Sequence, residues 1–318
     1  MRCICNLFYH RRLPVDFLDK KHWVSASNPS ICYDKELDSF YINIRNTNYT
    51  LKKRKKDNAN IYKPVGEGIW EGKGPFRGEP VYKTRNFIGV CKDPMTDDIN
   101  WNQVTEEPRK QLCPWIGLED CRISRWNGKT YLSGCRRDWN TGRIGRIELQ
   151  ELNKNFHEVR SMRFNGPNND NSSCEKNHMP IDNDPFTFVV CTYPTIVCKQ
   201  TLDTPYPKAI KGNTRLCSCA CVGTIKGSSQ VIPYNDKYIA IVHTYFGESG
   251  CFDYQHYVVV WDKDFKLIHQ SEPFRFEGAP IEFCCGMAIK EEYAYITYSI
   301  MDGDASVVRI SVDDLLAL

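Results

Sequence analysis

Short runs in which apolar and polar positions alternate dominate the chain, and Asn, Asp and Gly bound most of them. Such period-two runs, and continuous apolar runs of similar length, predict β-strands. No segment keeps the 3.6-residue period of an amphipathic helix over three turns. The hydrophobic pattern therefore predicts an all-β protein.

One pattern occurs five times: a polar turn, then an aromatic residue, then an apolar strand. The five segments are DKELDSFYINIR from Asp34, WNGKTYLSG from Trp126, DNDPFTFVVCT from Asp182, YNDKYIAIVHT from Tyr234 and KEEYAYITYS from Lys290. Spacings of roughly 50 residues, with one wider gap, are typical of β-propeller blades rather than of a sandwich. We therefore predict a single domain over residues 1–318, a five-bladed β-propeller. The wider gap is rich in Lys, Gly and Pro, which predicts a long loop at about residues 51–82.

Composition narrows the class of partner. At 318 residues and 41% hydrophobic content the chain can bury a full core, and 12% aromatic residues favour strands. A net charge of +3, from 42 basic and 39 acidic residues, is too balanced to indicate nucleic acid. The basic run KKRKK, Lys52 to Lys56, is expected to be a solvated loop, with nuclear localisation or nucleic-acid contact as the alternative.

The 16 cysteines bear on the compartment. The first residues, MRCICNLFYHRRLPVDF, contain no apolar core of signal-peptide length, so we expect reduced, packed thiols and a cytoplasmic location. No apolar run approaches the ~20 residues of a membrane helix, so we expect no membrane span. Cys217, Cys219 and Cys221 in CSCAC invite a metal interpretation. Their spacing is not the usual Cys-X2-Cys and no fourth ligand is evident, so we predict no metal.

Polar residues lie at the ends of the repeated strands, where a propeller would direct them into its central channel. The stretch GLEDCRI, Gly117 to Ile123, places Glu119 and Asp120 beside Arg122 directly before the second repeat. The second repeat is followed by RRDWNTGRIGR, and comparable positions of the other repeats hold NIRNTNY, CEKNHMP, His243, His256, IEFCCG and MDGD. A concave site of mixed charge suits a sugar that carries an anionic group such as phosphate.

The order of these motifs resembles a known family. GLEDCRI, NGKTYLSG, GRIGR, EKNHMP, YIAIVHT, VVVWDKDFKLIHQSEPF, EFCCGMA and YITYSIMDGDA follow one another as the motifs of glycoside hydrolase family 130 do, from about Asn28 to the C-terminus. That family comprises five-bladed propeller enzymes acting on β-mannosides, mostly as inverting phosphorylases, and is similar to β-1,2-mannosyltransferases of the same fold. The resemblance implies inverting transfer of a mannose-like unit between a phosphorylated donor, a sugar nucleotide or sugar 1-phosphate, and a hydroxyl acceptor, without a cofactor.

The resemblance also implies roles for individual residues. The family aspartate that matches Asp120 is the general acid, which acts through a hydroxyl of the mannosyl ring. Because adjacent strand residues point to opposite faces, we expect only one of Glu119 and Asp120 to face the substrate, and we predict Asp120. An inverting phosphorylase needs positioned cations and no protein nucleophile. The predicted phosphate-binding residues are Arg143, Arg146, Lys176 and His243, and the predicted substrate-binding residues are Asn46, Glu119, Arg122, Asn177, Glu282 and Asp302.

Three departures from the family pattern favour a divergent glycosyltransferase branch. Cys121 stands where proline is usual, and EKNHMP has glutamate where the phosphorylases tend to have aspartate. The segment from Thr195 to Gly223 does not match a mannoside phosphorylase.

Structural alternatives stay open for each site residue. Asp120 and Arg122 could form an ion pair within a blade turn, and the Lys-Asn pair could simply form a turn. His243 could be a core histidine, Glu282 could bind only backbone amides, and Arg45 is expected to be structural.

The function also has alternatives. One is a β-mannoside phosphorylase or hydrolase, and another is an inactive propeller that binds glycans or protein. The third is a propeller that contacts nucleic acid through Lys52 to Lys56.

Overall fold

The structure, a computed structural model, describes residues 1–15, 17, 21–53, 60–65, 68–72, 75–164, 174–199, 208–212, 225–246 and 253–318. In these residues β-strands predominate, and the α-helix α1 (Val312–Leu316) is a short C-terminal element. The predicted all-β class is confirmed. Within the described ranges, every helix is too short or too polar to cross a bilayer.

The strands form five units that follow one another along the chain. Ahead of them lie β1 (Arg2–Cys3), a 3-10 turn (Ile4–Asn6) and β2 (His10–Arg12). The first unit contains β3 (Ser25–Asp34), β4 (Ser39–Thr47), β7 (Tyr82–Cys91) and β8 (Asn100–Gln103), and it encloses the hairpin strands β5 (Tyr49–Lys53) and β6 (Asn60–Pro64). The strand β9 (Trp115–Ile116) pairs in parallel with β7.

The remaining units have the same antiparallel order. The second consists of β10 (Leu118–Trp126), β11 (Lys129–Arg136), β12 (Arg146–Leu152) and β13 (Glu158–Arg163), and the third of β14 (Met179–Ile181), β15 (Asp184–Cys191), β16 (Ile196–Lys199) and β17 (Lys208–Gly212). The fourth contains β18 (Lys226–Gly227), β19 (Ile232–Tyr234), β20 (Lys237–Phe246), β21 (Asp253–Asp262), β22 (Leu267–Gln270) and β23 (Phe274–Arg275). The fifth contains β24 (Glu282–Lys290), β25 (Tyr293–Ile300) and β26 (Asp304–Ser311). It joins the first unit in one nine-stranded sheet, because β26 pairs in parallel with β3 between Asp304 and Ala26. The N-terminal strands complete the last two units, since β1 pairs with β23 and β2 with β26.

The five repeats found in the sequence correspond to equivalent strands. They are β4, β11, β15, β20 and β25, and each is hydrogen-bonded to a neighbour on both sides. In β4 every residue is buried, as expected for a strand covered on both faces. The positions of the predicted repeats are therefore confirmed.

Hydrophobic clusters lie between consecutive units. Ile42 of the first unit packs with Tyr295 and Val307 of the fifth, and Val189 of the third packs with Trp261 of the fourth. Similar clusters join the first to the second unit, the second to the third and the fourth to the fifth. Each unit thus shares a core with the next, and the last shares one with the first.

One buried side chain joins three of the units. The amide of Gln230 donates to the carbonyls of Ile31 at 2.9 Å and Ile123 at 2.6 Å, and it accepts the backbone N–H of Met287 at 3.3 Å. These partners belong to β3, β10 and β24. Gln230 therefore fixes the first strands of the first, second and fifth units relative to one another.

The segment predicted as one long loop is corrected in part. It contains β6 and most of β5, which pair with each other from Tyr49–Pro64 to Lys53–Asn60. Tyr49 and Tyr62 of this hairpin pack with Tyr82 and Trp115. Aromatic packing explains why a segment rich in Lys and Gly forms strands. Of the basic run, residues 54–56 lie outside the described residues.

The described cysteines are free, and ten of these twelve are buried. They pack as small apolar side chains, as the sequence predicts. The predicted cluster of Cys217, Cys219 and Cys221 lies outside the described residues.

Candidate active site

A cavity of about 660 Å³ is lined by side chains from all five units. Seven of the residues predicted from the sequence line it: Glu119, Asp120, Arg143, Lys176, Asn177, His243 and Asp302. These residues are far apart in sequence. Glu119 and Asp120 lie in β10, Lys176 and Asn177 precede β14, and His243 lies in β20, whereas Arg143 and Asp302 lie in the turns after β11 and β25.

Both acids of GLEDCRI line the cavity, although alternation along a regular strand would place them on opposite faces. The pairing of β10 with β11 shifts register between Glu119 and Arg122, and Asp120 has a φ of +53°. A bulge breaks the alternation of side chains and turns both carboxylates towards the cavity. The left-handed conformation of a non-glycine residue costs energy, and such strain is concentrated at functional sites.

Gly117 makes the approach to this bulge possible. Its φ is +102°, and a Cβ at this position would lie 2.2 Å from the carbonyl oxygen of Thr84. Its N–H also lies 3.4 Å from the Asp138 carboxylate. Only glycine fits this conformation and this contact.

The Asp120 carboxylate is held by two groups from the first unit. Its Oδ1 accepts from Arg45 Nη1 at 2.7 Å and from Asn28 Nδ2 at 2.7 Å. Burial would raise the pKa of Asp120, but the charges of Arg45 and Lys176 outweigh burial and hold that pKa well below its usual value. Asp120 is therefore ionised at neutral pH.

Glu119 lies among three cations. Its Oε2 is 3.5 Å from Arg137 Nε, 3.8 Å from Arg45 Nη2 and 3.9 Å from Lys176 Nζ. Arg137 also donates from Nη1 to the carbonyl of Arg143 at 3.0 Å. Glu119 thus orders the basic side chains around Asp120.

Asp302 is the third carboxylate of the cavity and differs from Asp120. Its Oδ2 accepts a hydrogen bond of 3.0 Å from the Tyr62 hydroxyl. Burial and the negative charge of Asp120 raise the pKa of Asp302, while Arg45 opposes the rise. Two carboxyl groups of one site therefore have their pKa values moved in opposite directions.

His243 contributes a neutral imidazole. It is 2% exposed, its Nδ1 shares a 2.7 Å hydrogen bond with Ser228 Oγ, and its ring stacks on Tyr254. Burial and the neighbouring His256 lower its pKa well below the usual value. It lines the cavity as predicted, but as an uncharged hydrogen-bonding group.

Basic side chains exceed acidic ones around the cavity. Among the lining residues, five are basic, Arg45, Arg137, Arg143, Lys176 and Lys226, and three are acidic, Glu119, Asp120 and Asp302. Lys226 donates to the hydroxyl of Tyr245 at 3.0 Å, and Arg143 stacks over Phe76. The excess of two positive charges, focused in a concave site, favours an anionic ligand.

Four predicted residues lie outside the lining of this cavity. Glu282 is fully buried, and its two carboxylate oxygens accept hydrogen bonds from the N–H groups of Phe276, Glu277 and Ala279. The structure therefore supports the alternative in which Glu282 binds only backbone amides. Asn46 donates a hydrogen bond to the carbonyl of Ser25 and accepts one from Arg85 Nε. Arg146 is buried, and its Nη1 donates to the carbonyl of Gly145.

Arg122 supports the bulge from behind. It donates from Nη1 to the carbonyl of Asp120 at 2.8 Å and from Nε to the carbonyl of Ser228 at 2.8 Å. Arg122 therefore contacts the backbone carbonyl of Asp120 and does not form the alternative ion pair with its carboxylate. The carboxylate of Asp120 pairs with Arg45 instead.

Several residues of the site were not predicted from the sequence. Arg45 was expected to be structural, and Arg137, Lys226 and Asn28 were not singled out. The aromatic lining of Tyr49, Tyr62, Trp115, Tyr245, Tyr254 and Phe283 was also missed. The stretch NIRN at a strand end carried a signal for Arg45, whereas Tyr62 reaches the cavity from the hairpin and Trp115 from β9.

A possible metal-ligand group lies elsewhere. In the described part of the chain, Cys5, His10 and Glu277 have ligand atoms within 4.8 Å of one another. Arg12 and Tyr298 already engage Glu277, and Tyr298 also contacts Cys5. These three residues do not line the cavity. They do not fit a cation site well, because the Arg12 guanidinium already pairs with the Glu277 carboxylate.

Solved structures of carbohydrate-active enzymes share this fold. β-1,2-Mannobiose phosphorylase from Listeria innocua, solved with β-1,2-mannobiose, is 9% identical, with 93% of this chain and 92% of that chain covered and a TM-score of 0.56. A glycosyl hydrolase from Bacteroides ovatus is 11% identical, with 91% and 84% covered and a TM-score of 0.57. A structure described for the GH130 family of mannoside phosphorylases, with hydrolases that target β-1,2-mannosidic linkages in Candida mannan, is 13% identical, with 91% and 85% covered and a TM-score of 0.56.

No protein-family model matches the chain, and no curated protein matches it. At identities of 9 to 13% these structures establish a shared fold. The resemblance to glycoside hydrolase family 130 in the sequence is therefore confirmed at the level of the fold, over nine tenths of the chain.

Proposed function

We propose that this chain is a carbohydrate-active enzyme that transfers a mannose-like unit, with inversion, between a phosphorylated carrier and a hydroxyl acceptor. The observation that carries the proposal is one cavity in which basic side chains in excess surround the Asp120 carboxylate. Phosphorolysis of a β-mannoside is the same reaction in the opposite direction when the carrier is a sugar 1-phosphate. The free, buried thiols support a cytoplasmic location.

We infer that the five units are the blades of a five-bladed β-propeller formed by one domain. The support is that each unit shares a hydrophobic core with the next, including the fifth with the first. Gln230 adds hydrogen bonds between first strands of three units. In a propeller those strands surround the axis, which would put the cavity at one end of the central channel.

In the transfer direction Asp120 acts as the base. Its low pKa keeps it ionised, so it can accept the proton of the acceptor hydroxyl, through a ring hydroxyl of the mannosyl unit as in the resembled family. In phosphorolysis the same residue must carry the proton to the departing oxygen, as microscopic reversibility requires. A phosphate dianion near Arg45 and Lys176 would offset their charges and raise the pKa of Asp120 towards that role.

The carrier phosphate binds the basic side of the cavity. We assign it to Arg143 and Lys176, which were predicted from the sequence, together with Arg137 and Lys226. Arginine offers two parallel donors to a phosphate and lysine a point charge. The neutral His243 donates or accepts one hydrogen bond beside them.

The sugar binds between the aromatic and acidic residues. Tyr62, Trp115 and Tyr254 offer apolar faces of the kind that line carbohydrate sites, and Asp302 and Asn177 offer polar contacts to hydroxyl groups. The Listeria innocua enzyme of the same fold was solved with β-1,2-mannobiose, which is therefore the first disaccharide to test.

Hydrolysis is the second candidate, and Asp302 is the observation that favours it. An inverting hydrolase needs a second carboxylate to activate water opposite the proton donor. The raised pKa of Asp302 makes it a better base than Asp120. Dependence of the reaction on phosphate separates the two candidates.

Ligand-induced stabilisation tests the anion site. Phosphate, mannose 1-phosphate and sugar nucleotides should raise the melting temperature of the wild-type protein, because a ligand that binds only the native state stabilises it. Arg143→Gln combined with Lys176→Met should remove most of the shift, while Arg160→Gln on an exposed strand serves as the control. Equal shifts in all three proteins, or no shift with any anion, would rule out the proposed site.

A further inference from the structure

A pair of cysteines lies beside the cavity, between the second and third units. Cys135 is a buried residue of β11 and pairs with Glu119 of the neighbouring strand β10. Cys174 is exposed and precedes Lys176 by two residues. The two sulfur atoms are close neighbours, because both lie against Gly145. The pair therefore adjoins residues that line the cavity.

Gly145 leaves room for both sulfur atoms. A Cβ at this position would lie 2.4 Å from Cys135 Sγ and 2.8 Å from Cys174 Sγ. Any residue larger than glycine would therefore clash with both sulfur atoms. The N–H of Glu175 donates to the carbonyl of Gly145 at 2.9 Å and holds Cys174 in place. The sulfur atoms are thus brought together by backbone contacts rather than by a flexible loop.

The surroundings activate one member of the pair. The neighbouring Cys135 thiol, with the charges of Arg137 and Lys176, lowers the pKa of Cys174 to about 5 against the effect of burial. The neighbouring Cys174 and burial raise the pKa of Cys135. At neutral pH the exposed sulfur is a thiolate and the buried one a thiol, which are the states of an attacking and a resolving cysteine.

We propose that Cys174 and Cys135 form a redox-active thiol pair, in which Cys174 attacks a small disulfide such as oxidised glutathione and Cys135 resolves the mixed disulfide. This inference does not depend on the proposed glycosyl transfer. Such pairs in reducing compartments are usually transient and regulatory.

The chemistry balances in two exchanges. The Cys174 thiolate forms a bond to one sulfur of oxidised glutathione, whose S–S bond breaks, and one glutathione leaves as a thiolate that takes a proton from water. The Cys135 sulfur then gives up its proton and attacks the Cys174 sulfur, whose bond to glutathione breaks. The second glutathione leaves as a thiolate that takes up that proton. Two protein thiols are oxidised to one disulfide, and one glutathione disulfide is reduced to two glutathiones.

Intact-mass analysis of the full chain after incubation with oxidised glutathione tests the proposal. The wild-type protein should form a disulfide that links the peptides of Cys135 and Cys174 and should retain no glutathione at this site. Cys135→Ser should retain one glutathione at Cys174, and Cys174→Ser should form neither product. Cys3→Ser, at a partly exposed thiol outside the pair, should behave as the wild type.

Alkylation of the unmodified wild-type protein gives a second test that needs no variant. The rate at Cys174 should stay nearly constant between pH 8 and pH 6, whereas an ordinary thiol loses about tenfold per pH unit below its pKa. A Cys174 rate that falls in step with the other cysteines would overturn the proposal. Glutathione retained at Cys174 in the wild type as in Cys135→Ser would also overturn it, because Cys135 would not be resolving.

Discussion

Asp120 and Arg45 define the chemistry of the cavity at the scale of single residues. Their ion pair of 2.7 Å lies at a bulge in which Asp120 has a left-handed backbone. Arg45 keeps Asp120 ionised and Glu119 keeps the neighbouring cations in place.

Replacing Asp120 by asparagine should abolish most of the activity without unfolding the protein. Asparagine has the same shape and tolerates a left-handed backbone, but it cannot transfer a proton. General acid–base catalysis contributes about 10²–10⁴-fold, so kcat on β-1,2-mannobiose with phosphate should fall by that factor. Asp236→Asn, in an exposed turn with the same backbone conformation, is the control. Full activity in Asp120→Asn would remove Asp120 from the mechanism.

Replacing Arg45 by glutamine should move the pH dependence of transfer. Arg45 is the strongest charge that lowers the pKa of Asp120, so the variant should have a higher Asp120 pKa. Because Asp120 must be ionised to act as a base, the loss of activity at acidic pH should begin at a higher pH. Arg45→Lys, which retains the positive charge, should shift the profile less. An unmoved acidic limb in Arg45→Gln would show that another group controls it.

At the scale of elements, the hairpin of β5 and β6 connects the first unit with the last. Tyr62 donates to Asp302 across the cavity, and the hairpin rings pack on Trp115. This element was expected to be a loop, yet it supplies part of the cavity wall.

Removing the Tyr62 hydroxyl should weaken the site and leave the fold unchanged. A hydrogen bond to a charged group contributes about 1.5 kcal/mol, so Tyr62→Phe should lower kcat/KM by about tenfold. Tyr9→Phe, at a largely exposed tyrosine, should change nothing. If Tyr62→Phe matches the wild type in kcat/KM, the hairpin does not position Asp302.

Sequence patterns predicted the elements better than the site. The period-two pattern located β4, β11, β15, β20 and β25, because residues inside a strand alternate or are uniformly buried. The bulge at Asp120 broke that same rule, and no pattern in GLEDCRI signals a shift of register. Contacts such as Arg45 to Asp120 and Tyr62 to Asp302 join residues from different units, and local sequence carries no record of them.

At the scale of the whole molecule, stability rests on the cores between units and on buried polar bridges. Gln230 satisfies two carbonyls and one N–H that belong to three different strands. Loss of these hydrogen bonds should therefore destabilise the whole protein rather than one unit.

Substitution of Gln230 by methionine should destabilise the protein strongly. Methionine has a similar length, but it leaves the three backbone groups unpaired at about 1–3 kcal/mol each. The free energy of unfolding, measured by denaturant titration, should fall by roughly 4 kcal/mol, with loss of cooperativity if the bridge joins independent units. Gln270→Met, at an exposed position of β22, is the control. A loss below about 1 kcal/mol would mean that Gln230 does not hold the units together.

The central claim is inverting transfer between a phosphate carrier and a hydroxyl group, with Asp120 moving the proton. It is tested most directly by phosphorus NMR of the wild-type protein incubated with β-1,2-mannobiose and phosphate. We predict the appearance of α-mannose 1-phosphate together with free mannose, and no such product from Asp120→Asn. Release of mannose at the same rate without phosphate, formation of the β-anomer, or no reaction in the wild type would contradict the claim.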